Sequence, residues 1–213
     1  MRVRWIGLAL ALALVGAAAG YGLGVLLRVE PVTFASARPV PAVSPSIPVE
    51  PTQPYAPDID YPALTPDLDY KLHRIGNPPY EWSYDVPKGW TPEQVAFFEV
   101  RWRPADEPTV GGYSVRVKII NEHRTNEEMV AQKKAAMVTI YNDVHFSAET
   151  ADMLSFSYRD DATNRLRYNT FKWFTPPAGT TAEFEMSVVG RNVDQAGLED
   201  LLTHVAASVQ KES

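Results

Sequence analysis

The fold of this chain is decided by residues 96–119, AFFEVRWRPADEPTVGGYSVRVKI. Apolar and charged residues alternate over Ala96–Arg103 and again over Tyr113–Ile119, with Val100 and Trp102 on one face of the first segment. Strict alternation is typical of a strand with one buried face. The loop between the two segments is polar and contains Gly and Pro, so together they predict a hairpin in an antiparallel sheet.

Further strands and two helices are predicted around this hairpin. Tyr80–Val86 alternates before it, and after it Thr125 and Glu128 form the capping-box pattern that starts a helix over residues 126–140. The later segments are strands at Met153–Tyr158, Leu166–Phe174 and Ala182–Val189, a short strand at Val144–Phe146, and a helix that begins near Asp194. The predicted fold class is α+β, a mainly antiparallel sheet packed with helices, in one domain over residues 78–213.

Three segments of this domain are similar to a known family. Tyr84–Trp90, YDVPKGW, looks like the strand and Pro-x-Gly-Trp turn that open domains of the PsbP/Mog1-like superfamily, and the match continues through Tyr113–Lys118 and Gly190–Asp194. The resemblance covers roughly residues 78–210 and implies an α/β sandwich with a binding or scaffolding role, since the family has no shared catalytic residues. Many bacterial members are secreted or membrane-tethered in actinobacterial envelopes. Known members associate with photosystem II or small GTPases, and nothing in this sequence matches those partner surfaces.

The N-terminus predicts a membrane anchor. Trp5–Leu27 is a run of 23 residues without a charge. As a helix it would be roughly 35 Å long, enough to cross a bilayer core of about 30 Å. Because Arg2 and Arg4 precede it, the positive-inside rule places the N-terminus in the cytoplasm and the rest of the chain outside. A signal peptide cleaved at Ala17–Ala19 or at Ala35–Ala37 is the alternative. We favour an uncleaved single-pass anchor over residues 1–28 in the plasma membrane.

Small residues form a stripe along this predicted anchor. Gly16, Gly20 and Gly24 recur at intervals of four, so on a helix they lie on one face. Such a face lets a second helix approach closely and is typical of paired membrane helices. The stripe therefore predicts a homodimer through the anchor, although glycine and alanine are also common in membrane spans that do not pair.

A Pro-rich, acidic linker is predicted over residues 29–77. Residues 29–70 contain ten of the 18 prolines and six acidic side chains against one basic. Such a segment favours extended polyproline II at about 3.1 Å per residue and would act as a semi-rigid stalk. It also contains a repeat, PDIDY at Pro57–Tyr61 and PDLDY at Pro66–Tyr70. Because no glycine turn accompanies the aspartates, we interpret the repeat as a solvated stretch that touches the domain edge rather than as a calcium site.

Composition and motifs exclude several classes of function. The 213 residues include no cysteine, which rules out disulfides, thiolate zinc sites, iron–sulfur clusters and a cysteine nucleophile. The net charge of −6 and a pI near 5.3 argue against a general nucleic-acid binder. None of the four histidines is paired at metal-ligand spacing, and no phosphate-binding loop or nucleophile elbow is present. The sequence thus assigns no catalytic residue, cofactor or metal.

The polar face of the predicted sheet is the remaining candidate for a binding surface. Seven basic residues and five acidic ones could project from it, so cross-strand ion pairs are one explanation and a site for an anionic polymer or protein is the other. The residues that we assign to a possible partner-binding face are Arg101, Arg103, Arg116, Lys118, Arg165 and Arg167.

These patterns together predict a membrane-tethered, extracytoplasmic and non-enzymatic binding or adaptor module of the cell envelope. Its expected partners are the membrane and an unidentified envelope protein or polymer. Two alternatives stay open: an envelope-associated hydrolase or accessory enzyme with an unrecognised site, and a structural subunit of a membrane complex.

Overall fold

The computed structural model describes residues 53–107 and 111–212. Within these ranges it contains ten strands, two α-helices and one turn of 3-10 helix. In chain order the elements are β1 (Tyr70–Ile75), β2 (Trp82–Pro87), β3 (Trp90–Ala96), β4 (Glu99–Pro104), β5 (Ser114–Ile119), α1 (Asn126–Ile140), β6 (Asn142–Glu149), β7 (Met153–Asp160), β8 (Arg165–Phe174), β9 (Phe184–Gly190), the 3-10 turn (Asn192–Asp194), α2 (Gln195–Ser208) and β10 (Gln210–Lys211).

The strands form two sheets, and every strand pair in the described residues is antiparallel. The small sheet has the order β1-β2-β10, and the large sheet has the order β3-β4-β5-β9-β8-β7-β6. The predicted α+β class is wrong, because the described chain is mostly antiparallel β with only two helices, of 15 and 14 residues. The sequence pattern overlooked β1 and β3, since neither has a clean apolar alternation, and also the two-residue strand β10. Every residue of β3 after Trp90 is exposed, and this strand lies at the edge of its sheet.

The large sheet is buried on one face over strands β4, β5 and β9. Partners across a ladder share a face of the sheet, and the row that contains Val115 and Val188 is apolar here. This face packs against β2 and α2 to form the first core, whose larger members are Trp82, Tyr84, Trp102, Phe184, Met186 and Leu201. The same row continues into β8 and β7 as Thr170 and Ser155, so the apolar character ends between β9 and β8.

The opposite face of the large sheet is buried over β7 and β8. In the neighbouring row, Arg116 and Ser187 on β5 and β9 are followed by Phe171 and Leu154 on β8 and β7. Helix α1 covers this half and closes the second core, which includes Met129, Val130, Met137, Phe156, Tyr158 and Trp173. One sheet therefore serves two cores, and each core lies on its own face.

The offset between the two covering layers leaves two half-faces of the large sheet open in the described part of the chain. The first lies over β4 and β5, beside α1. The second lies over β7 and β8, beside α2. Both are concave, because a helix flanks the open strands on one side.

Residues 53–69 have no helix or strand and are attached to the domain by a buried ion pair. The Arg191 guanidinium is 1% exposed and donates to three backbone carbonyl oxygens of residues 59–62. Asp194 accepts from this guanidinium, and also from the backbone N–H of Leu64 at 2.9 Å. Both ions are therefore surrounded by hydrogen-bonding partners, as buried charges require. We call residues 53–69 the N-terminal arm.

The N-terminal arm falls in the stretch that the sequence pattern assigns to the linker. Its side chains Tyr61 and Leu68 pack against the first core, as does Tyr70 at its end, and Leu64 is itself a core residue at 4% exposure. The predicted contact between the acidic repeat and the domain edge is thus confirmed. Strand β1 also lies within this stretch and pairs with β2 over all six of its residues.

Local predictions that rest on capping chemistry agree with the structure. The Thr125 hydroxyl accepts from the N–H of Glu128, and the Glu128 carboxylate accepts from the N–H of Thr125 at 2.9 Å. Helix α1 begins at the next residue and ends at Ile140, as predicted. The capping box is readable from sequence because all of its partners lie within four residues.

Candidate functional site

Four of the six predicted binding residues lie together on the open half-face beside α1. Arg101 and Arg103 are on β4, and Arg116 and Lys118 are on β5, so the strand alternation directs all four side chains to the same face. Lys133 reaches this surface from α1. We call these five residues the basic face.

A cavity of about 300 Å³ opens beside α1, over strands β4, β5, β9, β8 and β7. Four members of the basic face line it, and the other lining groups include the side chains Ser114, Tyr141, Tyr158, Asn169, Phe171 and Ser187. The side-chain oxygen of Asn169 is buried and accepts no hydrogen bond from the described residues. The cavity therefore combines positive charge with an unused hydrogen-bond acceptor.

Ion pairs orient most of the cations of the basic face. Arg101 Nη2 lies 2.5 Å from Glu93 Oε2, and Arg103 Nε lies 3.7 Å from the same oxygen. Lys133 Nζ lies 3.3 Å from Glu185 Oε2. These pairs are partly exposed to solvent, where each contributes about 0–1 kcal/mol to stability. Their main effect is to hold long side chains in one place.

Lys118 differs from the other cations because it forms no ion pair in the described residues. Its two neighbours across the sheet are the carboxylates of Glu99 and Glu185. Arg116 engages Glu99, and Lys133 engages Glu185. The basic face thus has five cations against three carboxylates, and the ammonium of Lys118 is available to a ligand.

The remaining two predicted binding residues have a different role. Arg165 donates to the carbonyl oxygen of Pro57 at 2.9 Å, and Arg167 donates to the carbonyl oxygens of Gly111 and Gly112. Arg167 is 6% exposed, and burial lowers the pKa of its guanidinium. Arg165 thus attaches the backbone of residues 53–69 to the first residues of β8, and Arg167 attaches the loop before β5 to the same place. The sequence could not reveal this, because both sets of partners lie more than 50 residues away in the chain.

A second concave surface lies on the other side of the large sheet and was not predicted from the sequence. It is the open half-face beside α2, and its cavity has a volume of about 460 Å³. The residues that line it include Ser147, Met153, Ser155, Tyr168, Thr170, Gln195, Leu198, Glu199, Leu202 and Thr203. We call it the neutral groove. The sequence feature that could have indicated this groove is the presence of hydroxyl residues at alternate positions of β7 and β8. Other strands of the sheet have charged residues at the corresponding positions.

Two of the histidines pack against aromatic rings. The ring of His73 lies 4.7 Å from that of Trp102, and burial together with Lys71 lowers its pKa. The ring of His204 stacks on Tyr70 at 3.6 Å. In residues 53–107 and 111–212, no group of three or more His, Cys, Asp or Glu side chains is placed to hold a metal ion.

The glycine stripe of Gly16, Gly20 and Gly24 lies outside the described residues, as does the predicted anchor. No helix in residues 53–107 and 111–212 is long and apolar enough to cross a bilayer. No family model and no curated protein matches the chain. The resemblance to PsbP/Mog1-like domains and the membrane anchor therefore stay predictions.

Proposed function

We propose that this protein is a non-enzymatic binding module that is tethered to the outer side of the plasma membrane and binds an anionic envelope component through its basic face. The observation that carries the proposal is the unpaired Lys118, which lines the cavity together with three ion-paired cations, Arg101, Arg116 and Lys133. A flexible cation must lose side-chain entropy when it binds a ligand. Here the ion pairs have already oriented four of the five cations, so less ordering remains to be done at binding.

The charge of the surroundings supports the same conclusion. The chain as a whole has a net charge of −6, whereas the basic face has an excess of cations over carboxylates. A local positive surface on an acidic protein attracts anions and directs them to one place. The interaction should weaken as salt rises, because the Debye length falls to about 8 Å at physiological ionic strength.

The proposed tether rests on the N-terminal sequence. Trp5–Leu27 is uncharged, and Arg2 and Arg4 lie on the side that the positive-inside rule keeps in the cytoplasm. A C-terminal fusion to alkaline phosphatase, which is active only outside the cytoplasm, is expected to be active and to fractionate with membranes at the size of the uncleaved chain. An inactive fusion would contradict the outward orientation, and a soluble, shortened product would favour the signal peptide.

The binding proposal is tested best at Lys118, because this residue itself takes part in none of the ion pairs of the basic face. The full-length chain in detergent micelles is titrated with fluorescent dextran sulfate, as a polyanion of defined charge. We expect Lys118→Glu to lower the affinity about 10-fold, which corresponds to about 1.4 kcal/mol, with a small fall in the melting temperature, because the new carboxylate faces Glu99 and Glu185 across the sheet.

The matched control is Lys88→Glu, which makes the same charge change at an exposed residue in the turn between β2 and β3. It is expected to leave the affinity within about 2-fold of the wild type, because the screening of solvent-exposed charges weakens distant interactions. If the two variants lose the same affinity for dextran sulfate, the effect comes from net charge alone, and the assignment of the basic face is contradicted. Absence of any binding by the wild type would sink the proposal of an anionic ligand.

A further inference from the structure

The neutral groove has the shape of a ligand site. Strands β7 and β8 form its floor, one side of α2 forms a wall, and β6 forms the opposite rim. Its volume of about 460 Å³ lies within the range of about 300–1,000 Å³ that is usual for small-molecule pockets. The groove and the basic face lie on opposite faces of the large sheet. Ser155 and Thr170 line the groove, whereas their chain neighbours Leu154 and Phe171 point to the other face and belong to the second core.

Uncharged hydrogen-bonding groups dominate the floor and wall of the groove. The hydroxyls of Ser155 and Thr170 lie 2.9 Å apart in the floor, on neighbouring strands. The α2 wall contributes the amide of Gln195 and the hydroxyl of Thr203, and Tyr168 contributes an aromatic ring with a phenol. Each of these groups can both donate and accept a hydrogen bond. The Thr203 hydroxyl already donates to the carbonyl oxygen of Glu199, and the Gln195 amide donates to Asn192 Oδ1, so these two side chains offer a ligand their oxygen atoms and the second amide N–H of Gln195.

Apolar surface lies between these polar groups. Met153 on β7 and Leu198 and Leu202 on α2 line the same cavity as the hydroxyls. The spacing of the α2 residues, at positions i and i+4, places them one turn apart along the wall. The groove therefore offers a ligand alternating polar and apolar contacts rather than a continuous apolar surface.

The charge of the groove restricts what can occupy it. Glu199 is the one charged side chain in its lining, and it lies exposed at the α2 wall. An anionic ligand would meet this carboxylate with no cation in the lining to offset it. A wholly apolar ligand would displace water from the hydroxyls and amide without replacing the lost hydrogen bonds, which costs about 1–3 kcal/mol for each buried group.

We propose that the neutral groove binds a neutral oligosaccharide. Such a ligand has hydroxyls that both donate and accept, matching the side chains of the floor and wall, and C–H faces that pack on Met153, Leu202 and the ring of Tyr168. Exposed carboxylates also accept hydrogen bonds from sugar hydroxyls, which is the role of Glu199 at the α2 wall. The proposal goes beyond the anionic binding at the basic face and does not depend on it.

The experiment uses the full-length chain in phospholipid nanodiscs, because detergents with sugar headgroups would compete for the groove. Maltotriose, cellotriose and triacetylchitotriose are the neutral probes, and trigalacturonate is an anionic counterpart. Binding is measured by calorimetric titration and by saturation transfer from protein to ligand protons. We expect at least one neutral trisaccharide to bind, and trigalacturonate to bind at least 10-fold more weakly.

Two variants place the binding in the groove. Thr203→Trp fills the groove from an exposed position of α2, and we expect it to lower the affinity at least 10-fold. Ala207→Trp is the matched control, since it adds the same side chain at an exposed position of α2 outside the lining, and it should leave the affinity unchanged. Thr170→Val keeps the side-chain shape and removes one floor hydroxyl, so a several-fold loss is expected.

Three results would overturn the proposal. They are no binding of any neutral trisaccharide to the wild type, equal affinity of the Thr203→Trp variant and the wild type, or tighter binding of trigalacturonate than of the neutral probes. Lys118→Glu is included as a separate check, and unchanged sugar binding in this variant is expected because its site is on the other face of the sheet. If the basic face fails to bind dextran sulfate, neutral trisaccharides are still expected to bind in the neutral groove. The proposal for the basic face and the proposal for the neutral groove can therefore fail independently.

Discussion

Arg191 and Asp194 form the ion pair with the least solvent contact of those in the described residues, with exposures of 1% and 0%. Arg191 Nη2 lies 2.8 Å from Asp194 Oδ1, and its Nε lies 2.8 Å from Asp194 Oδ2, which is a bidentate arrangement. Removing one partner of a buried pair strands a charge and costs about 3–5 kcal/mol. Each charge of the pair therefore offsets the cost of burying the other. The hydrogen bonds of the pair also attach the N-terminal arm to the domain.

Stability should depend on pH through Asp194. Burial alone would raise the pKa of this carboxyl, but hydrogen bonds from Arg191 and from the N–H of Leu64 hold it below its ordinary value of 3.8. The unfolded chain therefore binds a proton at a higher pH than the folded chain, and stability falls as the pH drops below about 4. We expect the difference in urea stability between the wild type and Asp194→Asn to be largest at pH 7 and to narrow at pH 3.

The control for this titration is Asp60→Asn, which removes an exposed carboxylate of the N-terminal arm. Its stability difference from the wild type should be small at both pH values. A gap for Asp194→Asn that stays constant between pH 7 and pH 3 would show that the carboxyl does not titrate with unfolding.

At the scale of elements, α2 is shaped to receive the N-terminal arm. Gly197 lies in the second position after the start of α2 at Gln195 and is buried under Leu64. A Cβ at Gly197 would lie 2.7 Å from the carbonyl carbon of Leu64 and closer still to its oxygen. Glycine is therefore needed here for the close approach of two backbones, although it is a poor helix former.

This contact reverses the usual effect of a glycine-to-alanine substitution on the stability of a helix. In an ordinary helix interior, alanine is more favourable than glycine by about 1 kcal/mol. Here we expect Gly197→Ala to lower the free energy of unfolding by about 1–3 kcal/mol, because the added methyl overpacks the contact with Leu64. Denaturant unfolding of the purified chain measures the change.

Ala207→Gly provides the reference for helix propensity in the same helix, at an exposed position. It should cost less than about 1 kcal/mol, because Ala207 lies in the last turn of α2 and the full propensity difference applies to a helix interior. Stabilisation by Gly197→Ala would contradict the predicted clash and would indicate that the arm moves away from α2 at little cost.

At the scale of the whole molecule, the offset of the two cores is what creates two binding surfaces. If one helix layer covered the full width of the large sheet, both half-faces would be closed. Instead, the burial of the sheet switches faces between the adjacent strands β9 and β8. On one face the apolar Val188 of β9 lies next to the polar Thr170 of β8, and on the other face the polar Ser187 lies next to the apolar Phe171. Ligand sites commonly lie in such concave places beside packed elements.

The predicted anchor also belongs to this scale, because it would bring two chains together. Gly20 is the central residue of the glycine stripe. A bulky side chain there prevents the close helix approach that the stripe permits. We expect Gly20→Ile to abolish self-association of the anchor in a membrane two-hybrid assay, while Val25→Ile, which changes an already large residue, leaves the signal in place. A signal unchanged by Gly20→Ile would refute the dimer.

Sequence patterns predicted the features that depend on neighbours in the chain. Alternation located most strands, and the capping box of Thr125 located the start of α1, because the deciding interactions span a few residues. The same reasoning missed β3, whose residues after Trp90 are exposed and whose place is set by pairing with β4. It also assigned Arg167 to an open face, because the carbonyl groups that this residue binds are distant in sequence.

By itself, the sequence determined the positions of most strands, the placement of the basic residues on alternate sites, and the absence of thiol chemistry, but the α+β class predicted from it was wrong. Tertiary structure alone decided which half of each face is covered, and with it the basic face and the neutral groove. The physical reason is that alternation assigns a residue to one side of a strand but contains no information about which layer covers that side. That depends on where α1 and α2 pack, and so on contacts between residues far apart in the chain.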